Sequence, residues 1–263
     1  MSLSPNCWSV IRGQIAIKVT CPVLRVIAES WNRRFKNSLD HDLSDEKLRE
    51  AYVFAERTLE REPLITPHDT FRDVLLKKLT LQADALEKSG EVHFHTPVSK
   101  KLTVEDMTEE LDDMTRECVW LSGDAIGALK NRGHRLFLVS NFYGNLRTVI
   151  CDYGIADLFD DVIESAVVGI RKPSPEIFTL GVKAAGVAPE DCVVVGDSIK
   201  NDILPGRAAG CHTVWYRGKQ WDTSVQPDAS LADFVIPHLS RLASPDWEET
   251  LQKSIQERAQ HNF

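Results

Sequence analysis

Asp197 and Asp202 stand five positions apart, behind the apolar run Val193-Val194-Val195 and Gly196. A β-branched run of this kind reads as a fully buried parallel strand. The glycine that ends it reads as a tight backbone turn at the carboxyl edge, where α/β sheets hold ligands. Asp197 then stands at the strand tip and Asp202 one helical turn on, so both carboxylates can face one polar hollow and hold a hard cation through oxygen. The plainer alternative is that Asp197 only caps the helix that follows. Two other strand ends carry polar groups. Ser140 and Asn141 offer a hydroxyl, an amide and following backbone N–H groups, a set that suits phosphate oxygens. Lys172, beside Pro173, offers a point charge that neutralises an anion or pairs with a carboxylate. Alone, Ser140 is an ordinary turn former and Lys172 an ordinary surface charge. Together, at successive strand ends, they outline a pocket for an anion and a cation.

The elements that must position these groups have two rhythms. From Leu24 to about Lys130 the spacing is helical. Ser44 opens a helix with Leu48, Ala51, Tyr52, Ala55 and Leu59 on one face. Asp69 or Thr70 opens a second, with Phe71, Val74, Leu75, Leu79 and Leu86 inward and Gly90 as its stop. Thr103 is expected to cap a third, carrying Met107, Leu111 and Met114, and the block reads as a small helical bundle. After Ser122 strands alternate with helices: a helix from Asp124 to Asn131, a strand 135–140 and an extended segment 162–168. A helix opened by Ser174-Pro175-Glu176 follows, then the central run, and strands at 212–216 and 234–236. Such alternation requires a parallel sheet with right-handed crossovers. Ser244 begins a tail that reads as a closing amphipathic helix with Trp247, Leu251 and Ile255. The fold class expected is α/β, a Rossmann-like parallel sheet flanked by helices, with an inserted all-helical cap domain. The expected division is a discontinuous core of residues 14–22 and 119–240, a helical cap 23–118 and a C-terminal helix 241–263.

Bulk properties narrow the function classes. The chain has 263 residues, 43% hydrophobic and 27% charged, with a formal net charge of -8. That balance argues against binding nucleic acid through bulk electrostatics, though not against a local basic pocket. The six cysteines include no CxxC pair and there is no secretory leader, so a reducing cytoplasm is the expected compartment. No apolar stretch approaches a membrane span. The start, from Met1 to Ala28, has no Asp or Glu and contains Arg12, Lys18 and Arg25. It has the acid-poor composition of a transit peptide without a clear amphipathic period.

From Ser122 to Tyr216 the chain resembles the haloacid dehalogenase-like hydrolases. Leu138-Val139-Ser140-Asn141 resembles that family's second motif, Lys172-Pro173 its third, and the stretch Gly196-Asp197-Ser198-Ile199-Lys200-Asn201-Asp202 its fourth. The resemblance implies a hydrolase, of the Mg²⁺-dependent phosphatase type, acting on a small phosphorylated metabolite. Ser140 and Asn141 would hold the transferring phosphoryl group. Lys172 would steady that group and the nucleophile, Asp197 would bind Mg²⁺, and Asp202 would hold Lys172 in place. The helical block would be the cap that covers the site and limits substrates to small molecules. Phe142 and Tyr143, next to Ser140, would line the pocket or pack under the cap.

The family's first motif has no counterpart. It is a strand ending in Asp-x-Asp-x-Thr, which supplies a nucleophilic carboxylate and then an acid/base carboxylate. Here no acid precedes Glu29, and Glu29 lies within the helical pattern Val26-Ile27-Ala28-Glu29-Ser30-Trp31. Cys21 is nearer the expected place but lacks the longer loop with which a cysteine phosphatase cradles phosphate. Two readings follow: a phosphohydrolase whose N-terminal segment departs from the family pattern, through a shifted reading frame or a lost segment, and a pseudoenzyme that keeps the pocket to bind a phosphorylated ligand or protein partner. A receiver-type signalling domain also sets carboxylates and a lysine at sheet ends, but leaves the helical insertion unexplained. Something must fill the central strand position between the strands ending at Ser140 and Gly196. The only free candidate is Gln14 to Val19, expected to pair in parallel with both neighbours and to bring Thr20 or Cys21 within reach of Ser140, Lys172 and Asp197.

Overall fold

The structure, a computed structural model, describes residues 14–17, 31, 43–217 and 228–261. These residues fall into two units. One draws on residues 21–119 and 143–154; the other draws on residues 1–20, 120–142 and 155–263.

The first unit is helical. Helix α1, Asp45–Arg61, is capped by Ser44, whose hydroxyl accepts from the Lys47 N–H. It buries Leu48, Ala51, Ala55 and Leu59. Helix α2, Phe71–Lys88, opens on a reciprocal capping box between Thr70 and Asp73 and buries Val74, Leu75, Leu79 and Leu86. Both caps supply partners for backbone donors that the first turn leaves open. Helix α3, Pro97–Asn131, is one 35-residue element. This corrects two expectations. Thr103 is no cap: Thr96 and Ser99 exchange side-chain and backbone hydrogen bonds at 3.0 Å, Pro97 takes the first turn, and the Thr103 hydroxyl donates to the Ser99 carbonyl. Nor does the pattern break at Ser122-Gly123, because one glycine costs a helix only about 1 kcal/mol. Helix α4, Leu146–Asp152, completes this unit; the Asn145 amide at its start donates to the Asp69 carbonyl at 2.8 Å. Tyr143 donates to Glu56 at 2.5 Å, and Lys78 pairs with the same carboxylate at 2.5 Å. Burial would raise the Glu56 carboxyl, but Lys78 and the two tyrosine hydroxyls of Tyr143 and Tyr52 outweigh it and hold the group below its ordinary range.

The second unit is built on six parallel strands in the order β3-β2-β1-β4-β5-β6. They are β1 Gln14–Ile17, β2 Leu136–Ser140, β3 Asp161–Glu164, β4 Cys192–Gly196, β5 His212–Tyr216 and β6 Phe234–Ile236. Every residue of β4 is buried, and β2 is buried up to Ser140. Both faces must therefore be apolar, and continuous runs of Val and Leu satisfy that. The strand expected to fill the centre does so: Ile17 pairs with Leu138 on one side and Val195 on the other. Lys18, Val19, Thr20 and Cys21 lie outside the described residues.

Short helices connect the strands. Residues 162–168 are extended only to Glu164; Ser165–Val168 then turn as helix α5, which ends at Gly169 in the left-handed conformation (φ 72°). The Ser165 hydroxyl drives that departure by bonding the backbone of Phe142, accepting its N–H at 3.1 Å. Helix α6, Glu176–Ala185, begins at Pro175 and not Ser174, although the Ser174 hydroxyl accepts from the Glu176 N–H at 3.3 Å. Its Ile177, Phe178 and Val182 pack on Phe137, Val139, Ile163 and Val194. Helix α7, Leu204–Ala208, leads to β5. Helix α8, Trp247–His261, buries Trp247 and Leu251, and its Glu248 accepts from Arg132 at 3.2 Å and lies 2.7 Å from His134.

Candidate active site

Strand order places the chemistry. From β1 the chain winds outward through β2 to β3, then returns to the other side of β1 with β4 and winds out again. The reversal opens a crevice outside the carboxyl ends of β1 and β4, where open α/β sheets bind ligands. Ile17 is level with Leu138 and Val195. Ser140 and Asp197, each two residues further, therefore flank the end of β1, about 10 Å apart across two strand spacings. The chain that continues from Ile17 reads Lys18-Val19-Thr20-Cys21, without a carboxylate. Whether Thr20 or Cys21 reaches the site falls outside the described residues.

Lys172 and Asp202 form a buried ion pair. Lys172 Nζ lies 2.7 Å from Asp202 Oδ1, with side-chain exposures of 3% and 1%. At such burial neither charge is tolerable without the other. Two further devices hold the pair. Asp202 Oδ2 accepts the Ser198 N–H at 3.1 Å, and Lys172 Nζ sits 5.3 Å from the centroid of the Phe178 ring. The lysine's backbone is clamped by Asn141, whose Oδ1 accepts the Lys172 N–H at 2.9 Å while its Nδ2 donates to the Lys172 carbonyl at 3.1 Å. Both amide atoms of Asn141 are thus engaged with the loop that carries the lysine. The contact spans 31 positions and left no local signal; it uses one of the two Nδ2 hydrogens.

Gly196 also has a different task from the one its position suggests. It is not among the left-handed glycines, so no special turn requires it. A Cβ on Gly196 would lie 2.3 Å from Asp202 Cβ and 2.8 Å from its Oδ2. The missing side chain is the room in which the Asp202 carboxylate stands.

Asp197 follows at the strand tip. It does not cap the next turn; Ser198 does, its hydroxyl accepting from Asn201 N–H at 3.1 Å at the head of a π-helical turn, Ile199–Ile203. The Asp197 carbonyl is fixed by the indole N–H of Trp215 at 2.9 Å, and its Oδ1 is buried. The half-buried Ser140 hydroxyl makes no hydrogen bond among the described residues, whereas the Phe142 N–H is already bound by Ser165. A buried carboxylate that sequence reasoning passed over, Glu164, pairs with Ser140 in register. Tyr143, weighed as pocket lining, is bonded to Glu56 of the helical unit.

The donors test the implied Mg²⁺. Among the described residues no group of three or more His, Cys, Asp or Glu side chains is assembled for a metal. Asp202 gives its oxygens to Lys172 and Ser198, so of the two aspartates of this segment Asp197 is the one that would hold a cation. Mg²⁺ demands an octahedron of oxygens, so these residues do not by themselves fit a resident ion.

A family model for haloacid dehalogenase-like hydrolases matches residues 19–210, well over half of the chain. The chain belongs to the haloacid dehalogenase-like hydrolases. Human haloacid dehalogenase-like hydrolase domain-containing protein 3 is 31% identical over 134 residues, covering 49% of this chain and 53% of that protein. Phosphoserine phosphatase of Thermus thermophilus is 37% identical over 107 residues, covering 40% of this chain and 43% of the relative. Glyceraldehyde 3-phosphate phosphatase of Pyrococcus furiosus is 37% identical over 87 residues, covering 33% and 36%. The chain thus spans about half or less of the length of these relatives. A crystal structure of a dehalogenase with an intermediate complex superposes with a TM-score of 0.54 at 14% identity, covering 89% of this chain and 96% of that one, a likeness of fold alone. No described helix is long and apolar enough to cross a membrane.

Proposed function

We propose that this chain is a phosphatase-type member of its family that recognises the phosphoryl group of a small phosphorylated molecule. The observation that carries the proposal is the ammonium of Lys172, held at the crevice by buried Asp202 and by the Asn141 clamp. A fixed cation loses no orientational freedom when an anion arrives, and in a water-poor crevice its attraction is stronger than in bulk solvent. Ser140 adds a hydroxyl donor from the facing strand end. Relatives named as phosphatases of phosphoserine and of glyceraldehyde 3-phosphate favour phosphoryl chemistry over dehalogenation.

A second reading, recognition without turnover, is favoured by one observation: residues 18–28 contain no Asp or Glu. A phosphoryl group held by Lys172 and Ser140 then has no carboxylate to attack it. Loss of a covalent nucleophile costs a serine protease roughly 10⁶ in rate, which sets the scale of the deficit.

The full chain should bind orthophosphate saturably in calorimetry, with affinity at least tenfold weaker in Ser140→Ala, and should turn over an aryl phosphate at little above the background rate. No measurable phosphate binding by folded protein would overturn the proposal. A Mg²⁺-dependent rate of ordinary enzymatic size that vanishes in Asp197→Ala would instead remove the reading without turnover.

Mg²⁺ itself is expected to bind more weakly than about 1 mM in the absence of phosphate, since a hard cation wants more protein oxygens than the described residues assemble. Titration calorimetry reads this directly, and micromolar affinity would contradict it.

A further inference from the structure

We infer that Cys192 and Cys211 form an oxidisable dithiol site, which a peroxide converts to a disulfide that ties together the two ends of the segment carrying Asp197 and Asp202. Val193 pairs with His212 in the parallel β4–β5 ladder, so the residue before each, Cys192 and Cys211, fall opposite one another at the amino-terminal ends of the strands. Adjacent strands run about 4.8 Å apart, and disulfides bridge Cα atoms separated by roughly 4.4–6.8 Å. Both side chains turn to the same face of the sheet, where they join Phe137, Phe178 and Val194 in one apolar cluster. Both also line a small cavity there. Each cysteine is free and 5% exposed.

The two thiols are not equivalent. Cys192 Sγ donates to the Ala188 carbonyl at 3.6 Å. Hydrogen bonding from the neighbouring Cys211 thiol would draw the Cys192 thiol below its ordinary range against the effect of burial. The same neighbour, with burial, pushes Cys211 up. Cys192 is accordingly the attacking sulfur. Its thiolate displaces water from hydrogen peroxide and becomes a sulfenic acid. The Cys211 sulfur then attacks that sulfur, releasing a second water as the S–S bond forms. Two thiols lose two electrons and two protons, and one peroxide is reduced to two waters.

The consequence lies in what the bridge encloses. Between Cys192 and Cys211 runs the whole of β4, the π-helical turn and α7, including Gly196, Asp197, Ser198 and Asp202. Closing a loop of this length restricts the unfolded chain. The oxidised protein should therefore hold the Asp202 turn against opening more firmly than the reduced one.

The test uses the full chain, folded and treated with limiting hydrogen peroxide, then alkylated and digested without reduction. The expected product is a peptide pair linked through Cys192 and Cys211, with a mass loss of two hydrogens, a melting temperature raised by roughly 5–10 °C, and reversal by dithiothreitol. In Cys211→Ala, Cys192 should stop at the sulfenic acid and be trapped by dimedone. The inference is overturned if both thiols stay unmodified while Cys118 and Cys151 oxidise, or if Cys192 passes to the sulfinic acid in wild-type protein without a crosslink. The wild-type digest decides the matter even if the variant fails to fold.

Discussion

Gly196→Ala is expected to destabilise the sheet unit by about 3–5 kcal/mol and to abolish phosphate binding in whatever fraction still folds. The added methyl would overlap the Asp202 side chain at 2.3 Å from its Cβ and 2.6 Å from its Cγ. Neither partner can yield. Gly196 ends a strand whose five residues are all buried and which is paired with β1 on one side and β5 on the other, and Asp202 is held at both oxygens, by Lys172 and by the Ser198 N–H. Relief must come from moving the carboxylate, which leaves the buried ammonium of Lys172 without its counter-charge. Urea unfolding of the variant measures the first effect and phosphate calorimetry the second. A variant within 1 kcal/mol of wild type would show that the Asp202 turn shifts freely, and the account of the site as a rigid cradle would fail.

Lys172→Met is expected to cost a similar amount, about 3–5 kcal/mol, for the complementary reason: it strands the Asp202 carboxylate at 1% side-chain exposure. The informative comparison is the double variant Lys172→Met with Asp202→Leu. Replacing a buried ion pair by apolar side chains of similar volume is often close to neutral, so the double variant should recover at least half of the loss of the single one. Full recovery is not expected, because the Ser198 N–H loses its acceptor, at a cost of about 1–3 kcal/mol. Phosphate binding should be absent from both variants. Restored stability with lost binding would assign the pair to recognition; costs that simply add would show that the two charges are not coupled.

Much of the sheet was legible in the residues. Buried parallel strands are apolar throughout, so Leu136–Ser140 and Cys192–Gly196 announce themselves, and Ser44 and Thr70 mark helix starts by chemistry that acts within three or four residues. The extent of α3 was not legible, since Ser122-Gly123 carries the same local signal whether a helix stops or tolerates it. Nor was the bend after Glu164, where valines favour a strand but Ser165 is held by the backbone of Phe142, 23 positions away.

What the sequence determined by itself was a set of candidate groups, Ser140, Lys172, Asp197 and Asp202, with Ser140 and Asp197 at strand ends, and the lack of an acid between Lys18 and Ala28. Side-chain chemistry and strand periodicity are local properties, and they survive without coordinates. What only the tertiary structure decided was which group serves which. Asn141 grips Lys172 across 31 positions, Asp202 gives its oxygens to a lysine and a backbone N–H, and Cys192 and Cys211 share one apolar cluster. Those pairings follow from register and crossover, which place residues distant in the chain at one height on one face. No spacing within a single segment can encode that, because the partner's position depends on how every intervening strand is laid into the sheet.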